Sequence, residues 1–155
     1  MCGLFATYLK NANKEVTTLL NLRGLDSLKH RGPDRQGSFS TQDGKVFLGH
    51  NLLSISALNI EEGQQPVRTD KLVMVYNGEL YNHRYLREKL TALGIVFEGH
   101  SDTETLLRGI DHFGWAFLDT VEGCWALAVY DLNSRKLFFS RDPLGEKQLI
   151  YTVNR

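Results

Sequence analysis

"CWALAVYDLNSRKLFFSRD" (residues 124–142) decides the architecture. It reads as two strands around an Asn133-Ser134 turn, and the stretch from Trp125 to Tyr130 is almost unbroken in apolar residues. An antiparallel strand with one wet face alternates apolar and polar residues, so a continuous run needs cover on both faces. "KLVMVYNGEL" (71–80) has the same character and reads as a strand running into an Asn77-Gly78 turn. A second sheet on one side and helices on the other would supply the cover.

The flanking segments fit that scheme. "CGLFATYL" (2–9) reads as a strand. Residues 14–28 read as a helix whose stripe is Val16, Leu19, Leu20, Leu22, Leu25 and Leu28. "KHRGPDRQG" (29–37) is a loop across which Arg31 and Asp34 are expected to pair. "SFSTQDGKVFLGH" (38–50) reads as a hairpin turning at Asp43-Gly44. A helix is predicted over 82–94, with Asn82 as N-cap, Leu86, Leu90 and Leu93 on one face, and Gly94 as the stop. Another is predicted over 101–114, with Ser101 and Glu104 as a capping box and Leu106, Leu107, Ile110 and Phe113 as its buried stripe. "KQLIYTV" (147–153) reads as a last strand. Strands, two central helices and further strands, without a βαβ rhythm, predict an α+β fold. Its expected form is a four-layer α/β/β/α sandwich of two antiparallel sheets.

Composition narrows the function. The 155 residues, 42% hydrophobic, suit a single domain over 1–155. Eighteen Lys+Arg balance eighteen Asp+Glu, so charge argues for neither a nucleic acid nor an anionic membrane as partner. No apolar run approaches the roughly 20 residues of a membrane span. No basic stretch leads into an apolar one at the N-terminus, which speaks against a secretory signal and for a cytoplasmic protein. Cys2 and Cys124 make neither a disulfide framework nor a metal pair, and Cys124 reads as core. The five histidines show no metal spacing, and phosphate-loop and serine-elbow motifs are missing.

Three short stretches carry possible chemistry. Cys2 is either incidental or a nucleophile. Once Met1 is removed, one residue holds both a thiol and an α-amine, which titrates near pH 7.7–8.0 when unperturbed, roughly where a general base is useful. Gly3 lets the backbone pass close to a substrate. Asn77-Gly78 is a turn, and can also aim a side-chain amide and a backbone N–H at one developing oxyanion. Asp102 stands in the first turn of a helix, where a carboxylate is ordinary, but it can equally hold a substrate ammonium. "RGPD" (31–34) reads as wall-forming.

In order, "MCGLFA", "HRGPD", "LSI", "QQP", "YNGELYNH", "SDTE", "GCWALAVYD" and "RDPLGEKQLIY" span residues 1–151. Together they resemble the glutaminase domain of class II, N-terminal nucleophile, glutamine amidotransferases, and the asparagine synthetase branch in particular. The resemblance implies that Cys2 attacks the side-chain amide of glutamine. Asn77 and Gly78 would hold the oxyanion and Asp102 the α-ammonium, while Glu79, Leu53 and Ile55 would line the substrate site. It implies no metal or cofactor in this domain. ATP and Mg²⁺ would serve only a synthetase domain or subunit that receives the ammonia, and the "SGGxDS" loop of such a domain is not in this sequence.

One residue departs from the pattern. The family places an arginine directly before "LSI", where it clamps the α-carboxylate of glutamine; Leu52 stands there. Leucine offers no charge-assisted bond, and such a contact is worth about 1.5–3 kcal/mol. The expectation is weak glutamine binding, a substitute donor such as Arg31 or Asn51, a different amide substrate, or a catalytically weak domain serving as a docking or regulatory module.

Overall fold

The computed structural model describes residues 2–11, 13–54 and 63–153. Seven strands form two sheets. The first, of order β1-β3-β2, holds β1 (Gly3–Tyr8), β2 (Arg35–Ser40) and β3 (Val46–Leu52). The second, of order β4-β5-β6-β7, holds β4 (Val67–Arg68), β5 (Leu72–Leu80), β6 (Gly123–Asp131) and β7 (Lys136–Arg141). Every pairing is antiparallel. Helix α1 (Lys14–Ser27) lies on the first sheet; α2 (His83–Ala92) and α3 (Asp102–Phe113) lie on the second.

The apolar runs receive cover on both faces, as expected. On β5, Val73 and Val75 join Val46 and Leu48 of β3 and Ala128 of β6 in the core between the sheets. The alternate residues Leu72, Met74 and Tyr76 face the helices with Leu86, Leu106 and Ile110. The layers are therefore α/β/β/α. Gly44 has φ +69 at the hairpin turn and Gly94 has φ +84 at the end of α2, both left-handed values that suit glycine.

Several local expectations are corrected. Asn77-Gly78 is no turn: β5 runs through it to Leu80, paired with β6 throughout. The loop read over 29–37 contains a 3₁₀ turn (Lys29–Arg31) and the start of β2 at Arg35. On α1, Val16, Leu19 and Leu20 are more than half exposed and Leu25 is fully buried. The helix seats by its Asn21–Gly24–Leu25 side, where Gly24 leaves room for the Phe5 ring. Leu93 and Phe113 are exposed at the ends of their helices. Ser101 caps α3 by accepting from Glu104 N, but the Glu104 carboxylate turns to the N–H groups of Glu98 and Gly99. Asn82 is the N-cap residue of α2, as expected, but its side chain makes no cap bond; it bridges Thr120 O and Glu122 N instead. The strand expected over 147–153 does not form: Ile150, Tyr151 and Val153 are exposed, because Asp142 folds residues 142–147 into a turn by accepting from Glu146 and Lys147 N.

Candidate active site

Residues distant in the sequence meet where β1, β3 and β5 come together. Gly3 pairs with Asn51, so Cys2 stands beside Leu52. Side chains alternate along a strand. Gly3 faces outward, where an added Cβ would lie 3.1 Å from Leu28, so Cys2 faces inward toward β5. Cys2 N donates to Asn77 Oδ1 at 3.2 Å. Leu53 N lies 3.5 Å from Cys2 Sγ, and Leu53 O lies 4.0 Å from it. Arg31 Nε donates to Cys2 O at 3.3 Å. Arg31 and Asp34 do not pair: Asp34 Oδ2 accepts from Ser54 N at 2.7 Å.

The open edge of β5 explains why a backbone donor is available beside Cys2. The Gln65 side chain takes both polar groups of Tyr76, donating to its O at 3.0 Å and accepting from its N at 2.6 Å. Leu80 N donates to Asp102 Oδ2 at 3.0 Å. Both residues therefore direct their N–H away from β6. Direction alternates along a strand, so Gly78, between them, turns its N–H to the same unpaired edge. An added Cβ at Gly78 would run into Cys124 O and lie 2.8 Å from the Tyr76 ring, so only glycine fits. Asn77 contributes a second donor. Its Oδ1 is committed to Cys2 N, which leaves Nδ2 as the free end of the amide. Two donors next to a thiol can stabilise a tetrahedral oxyanion.

Asp102, at the first position of α3, is half-buried. Its Oδ2 also accepts from Tyr76 Oη at 3.2 Å, while Oδ1 has, among the described residues, only the Thr103 hydroxyl at 3.4 Å. Burial first, then the Asp102 charge, pushes the Tyr76 hydroxyl far above its usual value, so it stays protonated and donates. A carboxylate fixed through one oxygen keeps lone pairs on the other for an ammonium group. His50 is no base for this site: burial holds its pKa near 4, against a weaker opposing effect of the Tyr76 backbone, and the ring is neutral.

The structure thus brings together Cys2, Leu53, Asn77, Gly78 and Asp102. Glu79 is exposed at the end of β5, on the face it shares with Asn77 by alternation. Ile55 lies outside the described residues. Cys124 is buried, as expected. Sequence reasoning missed the roles of Gln65 and Tyr76, which set the β5 edge and Asp102. Both lie in quoted motifs, "QQP" and "YNGELYNH", but neither showed its role: a glutamine before proline reads as loop, and a tyrosine in an apolar run reads as core. Asn51 is no substitute donor; it is fully buried, donates to Leu25 O at 2.7 Å and accepts from Gln36.

Comparison with known proteins places these features in a wider set. The sequence pattern of the glutamine amidotransferase domain matches residues 1–155. A putative glutamine-hydrolysing asparagine synthetase of Mycobacterium tuberculosis (strain ATCC 25618 / H37Rv) is 40% identical over 132 residues, 79% of this chain and 20% of that protein. Glutamine-hydrolysing asparagine synthetase 3 of Bacillus subtilis (strain 168) is 36% identical, across 98% of this chain and 25% of its own length. A protein of Gibberella zeae named amidase chry2 is 36% identical across the whole chain and 24% of its own length. The chain thus spans about a quarter or less of these relatives. Among solved structures, the glutamine phosphoribosylpyrophosphate amidotransferase of B. subtilis, complexed with ADP and GMP, superposes with a TM-score of 0.71 at 20% identity, covering 94% of this chain and 38% of that one.

Proposed function

The chain belongs to the class II glutamine amidotransferase domain family, and from that premise we propose that it hydrolyses the side-chain amide of glutamine to glutamate and ammonia. One observation carries the reading: Cys2 N donates to Asn77 Oδ1 on the strand whose Gly78 N–H turns to the same open edge, with Asp102 on the neighbouring helix. In this reading Met1 is lost and Cys2 N becomes the α-amine. The amine takes the thiol proton, and sulfur attacks the amide carbon. Asn77 Nδ2 and Gly78 N hold the oxyanion. The tetrahedral adduct collapses: the ammonium on Cys2 protonates the amide nitrogen, the C–N bond breaks, and that nitrogen departs as ammonia. Water, deprotonated by the same amine, attacks the thioester; the C–S bond breaks and glutamate leaves with the thiol restored. Asp102 Oδ1 holds the substrate ammonium, and Glu79 and Leu53 line the pocket. The ammonia passes to a synthetase domain or subunit, where ATP and Mg²⁺ belong.

A second reading, hydrolysis of another amide, is favoured by Leu52, which offers no charge to a carboxylate, and by a relative named amidase. The test measures ammonia and glutamate released from glutamine, with the N-terminus verified by mass spectrometry and Cys2→Ala as control. Cys2-dependent release is expected. No release at high glutamine sinks the glutaminase reading, and release that survives Cys2→Ala sinks the nucleophile.

A further inference from the structure

We propose that Arg35 holds the α-carboxylate of the glutamine that Cys2 attacks; this deepens the glutaminase reading and rests on it. Arg35 pairs directly with Leu52 in the β2–β3 ladder, and Cys2 stands on the other side of Leu52. With strand order β1-β3-β2, the three form one row across the end of the sheet. They also share a face. Phe39 packs into the core between the sheets, and Arg35, four residues earlier on β2, points the same way. The alternate residue Gln36 faces the other side, where it donates to Asp26 of α1 and to Asn51. Arg35 is half-buried, yet its side chain makes no hydrogen bond or ion pair with any described residue. A guanidinium has five donors in a rigid fork, and that fork matches a carboxylate.

The spacing suits glutamine. Neighbouring strands are about 4.8 Å apart, so Arg35 Cα lies about 10 Å from Cys2 Cα. The arginine side chain, reaching back over Leu52, closes that gap from one end. A glutamine bound through its amide closes it from the other, its carboxylate carbon four bonds away from the amide carbon. Leu52, 8% exposed, is then an apolar floor between nucleophile and clamp. The other candidates are engaged elsewhere by at least one bond. Arg31 approaches from the 3₁₀ turn and is anchored on Cys2 O, and the Asn51 amide is used up on the α1 side.

The test compares ammonia release from L-glutamine and from L-glutaminamide, whose carboxylate is a neutral amide. Arg35→Ala is expected to raise KM for L-glutamine by about 10- to 100-fold, the worth of hydrogen bonds to a charged group. It should leave kcat nearly unchanged and erase a similar factor of preference over glutaminamide. The double variant Arg35→Leu/Leu52→Arg, which moves the cation one strand toward Cys2, should recover KM and preference. That recovery also answers a variant that merely folds poorly, since a structural role would not be restored by the exchange. Unchanged KM and preference in Arg35→Ala, in an enzyme whose activity depends on Cys2, overturn this role alone. Equal losses on both substrates overturn it too. A wild-type protein that releases no ammonia overturns the glutaminase reading along with it.

Discussion

Replacing Asn77 with aspartate keeps the shape of the side chain and inverts its chemistry. The Asn77 amide has two functions in the proposed mechanism. Oδ1 accepts from Cys2 N at 3.2 Å, and Nδ2 is the free donor. Asn77→Asp keeps the acceptor and removes the donor, putting negative charge where the oxyanion develops. Loss of one oxyanion donor costs about 10²–10³ in kcat, or about 2.7–4 kcal/mol. The added charge also acts on the base. A carboxylate beside the α-ammonium of mature Cys2 favours the protonated form and raises its pKa. Less free amine is then present at neutral pH. The rising limb of kcat/KM against pH should therefore move to higher pH, while the melting temperature stays near that of the parent. The assay is glutamate release from pH 6 to 9 (roughly the span around the unperturbed α-amine value), with thermal unfolding alongside. A kcat within about threefold of the parent at each pH optimum would refute the oxyanion role of Asn77 and return it to a positioning residue for Cys2 N.

Three further outcomes follow from the same geometry. A chain that keeps Met1, or carries a tag ahead of Cys2, should be inactive toward glutamine while unfolding normally, because its Cys2 nitrogen is an amide and not a base; intact-mass measurement beside the activity assay checks this. Gly78→Ala should lower stability by about 1–3 kcal/mol, the usual cost of overpacking, because the new methyl runs into Cys124 O and the Tyr76 ring; chemical denaturation reads it. Burial opposes the charge on Asp142, but the backbone N–H groups of Lys147, Glu146, Trp125 and Gly145 together outweigh it and hold its carboxyl below the ordinary carboxylate value. Its folded-state pKa is depressed, so its stabilisation is present above the unfolded value and lost as pH falls through the folded one. Asp142→Asn should therefore melt lower than the parent at pH 6, and the difference should shrink as pH falls below 3.8.

Much of the fold was legible in the sequence because local rules set it. The apolar runs in β5 and β6, the Asp43-Gly44 hairpin, the Ser101 cap and the Gly94 stop each depend on residues within a few positions. The failures share one cause. The α1 stripe, the Asn77-Gly78 turn and the strand at 147–153 were inferred locally, and each was overruled by what lies across the fold. Phe5 and Gly24 choose the face of α1. Pairing with β6 keeps β5 straight through Gly78, and Asp142 turns the chain before it can extend a sheet.

The sequence by itself determined the element types, the layered class and the identity of the reactive groups, because propensity, periodicity and motif order are written along the chain. Only the tertiary structure decided how those groups are used. Gln65 and Asp102 take the flanking donors of the β5 edge and leave that of Gly78 free, and strand register puts Arg35 in one row with Leu52 and Cys2. The physical reason is that hydrogen-bond direction and cross-strand neighbours depend on which strand pairs with which, and in what register. That choice joins residues 29 and 75 positions apart around Cys2, beyond the reach of any local pattern.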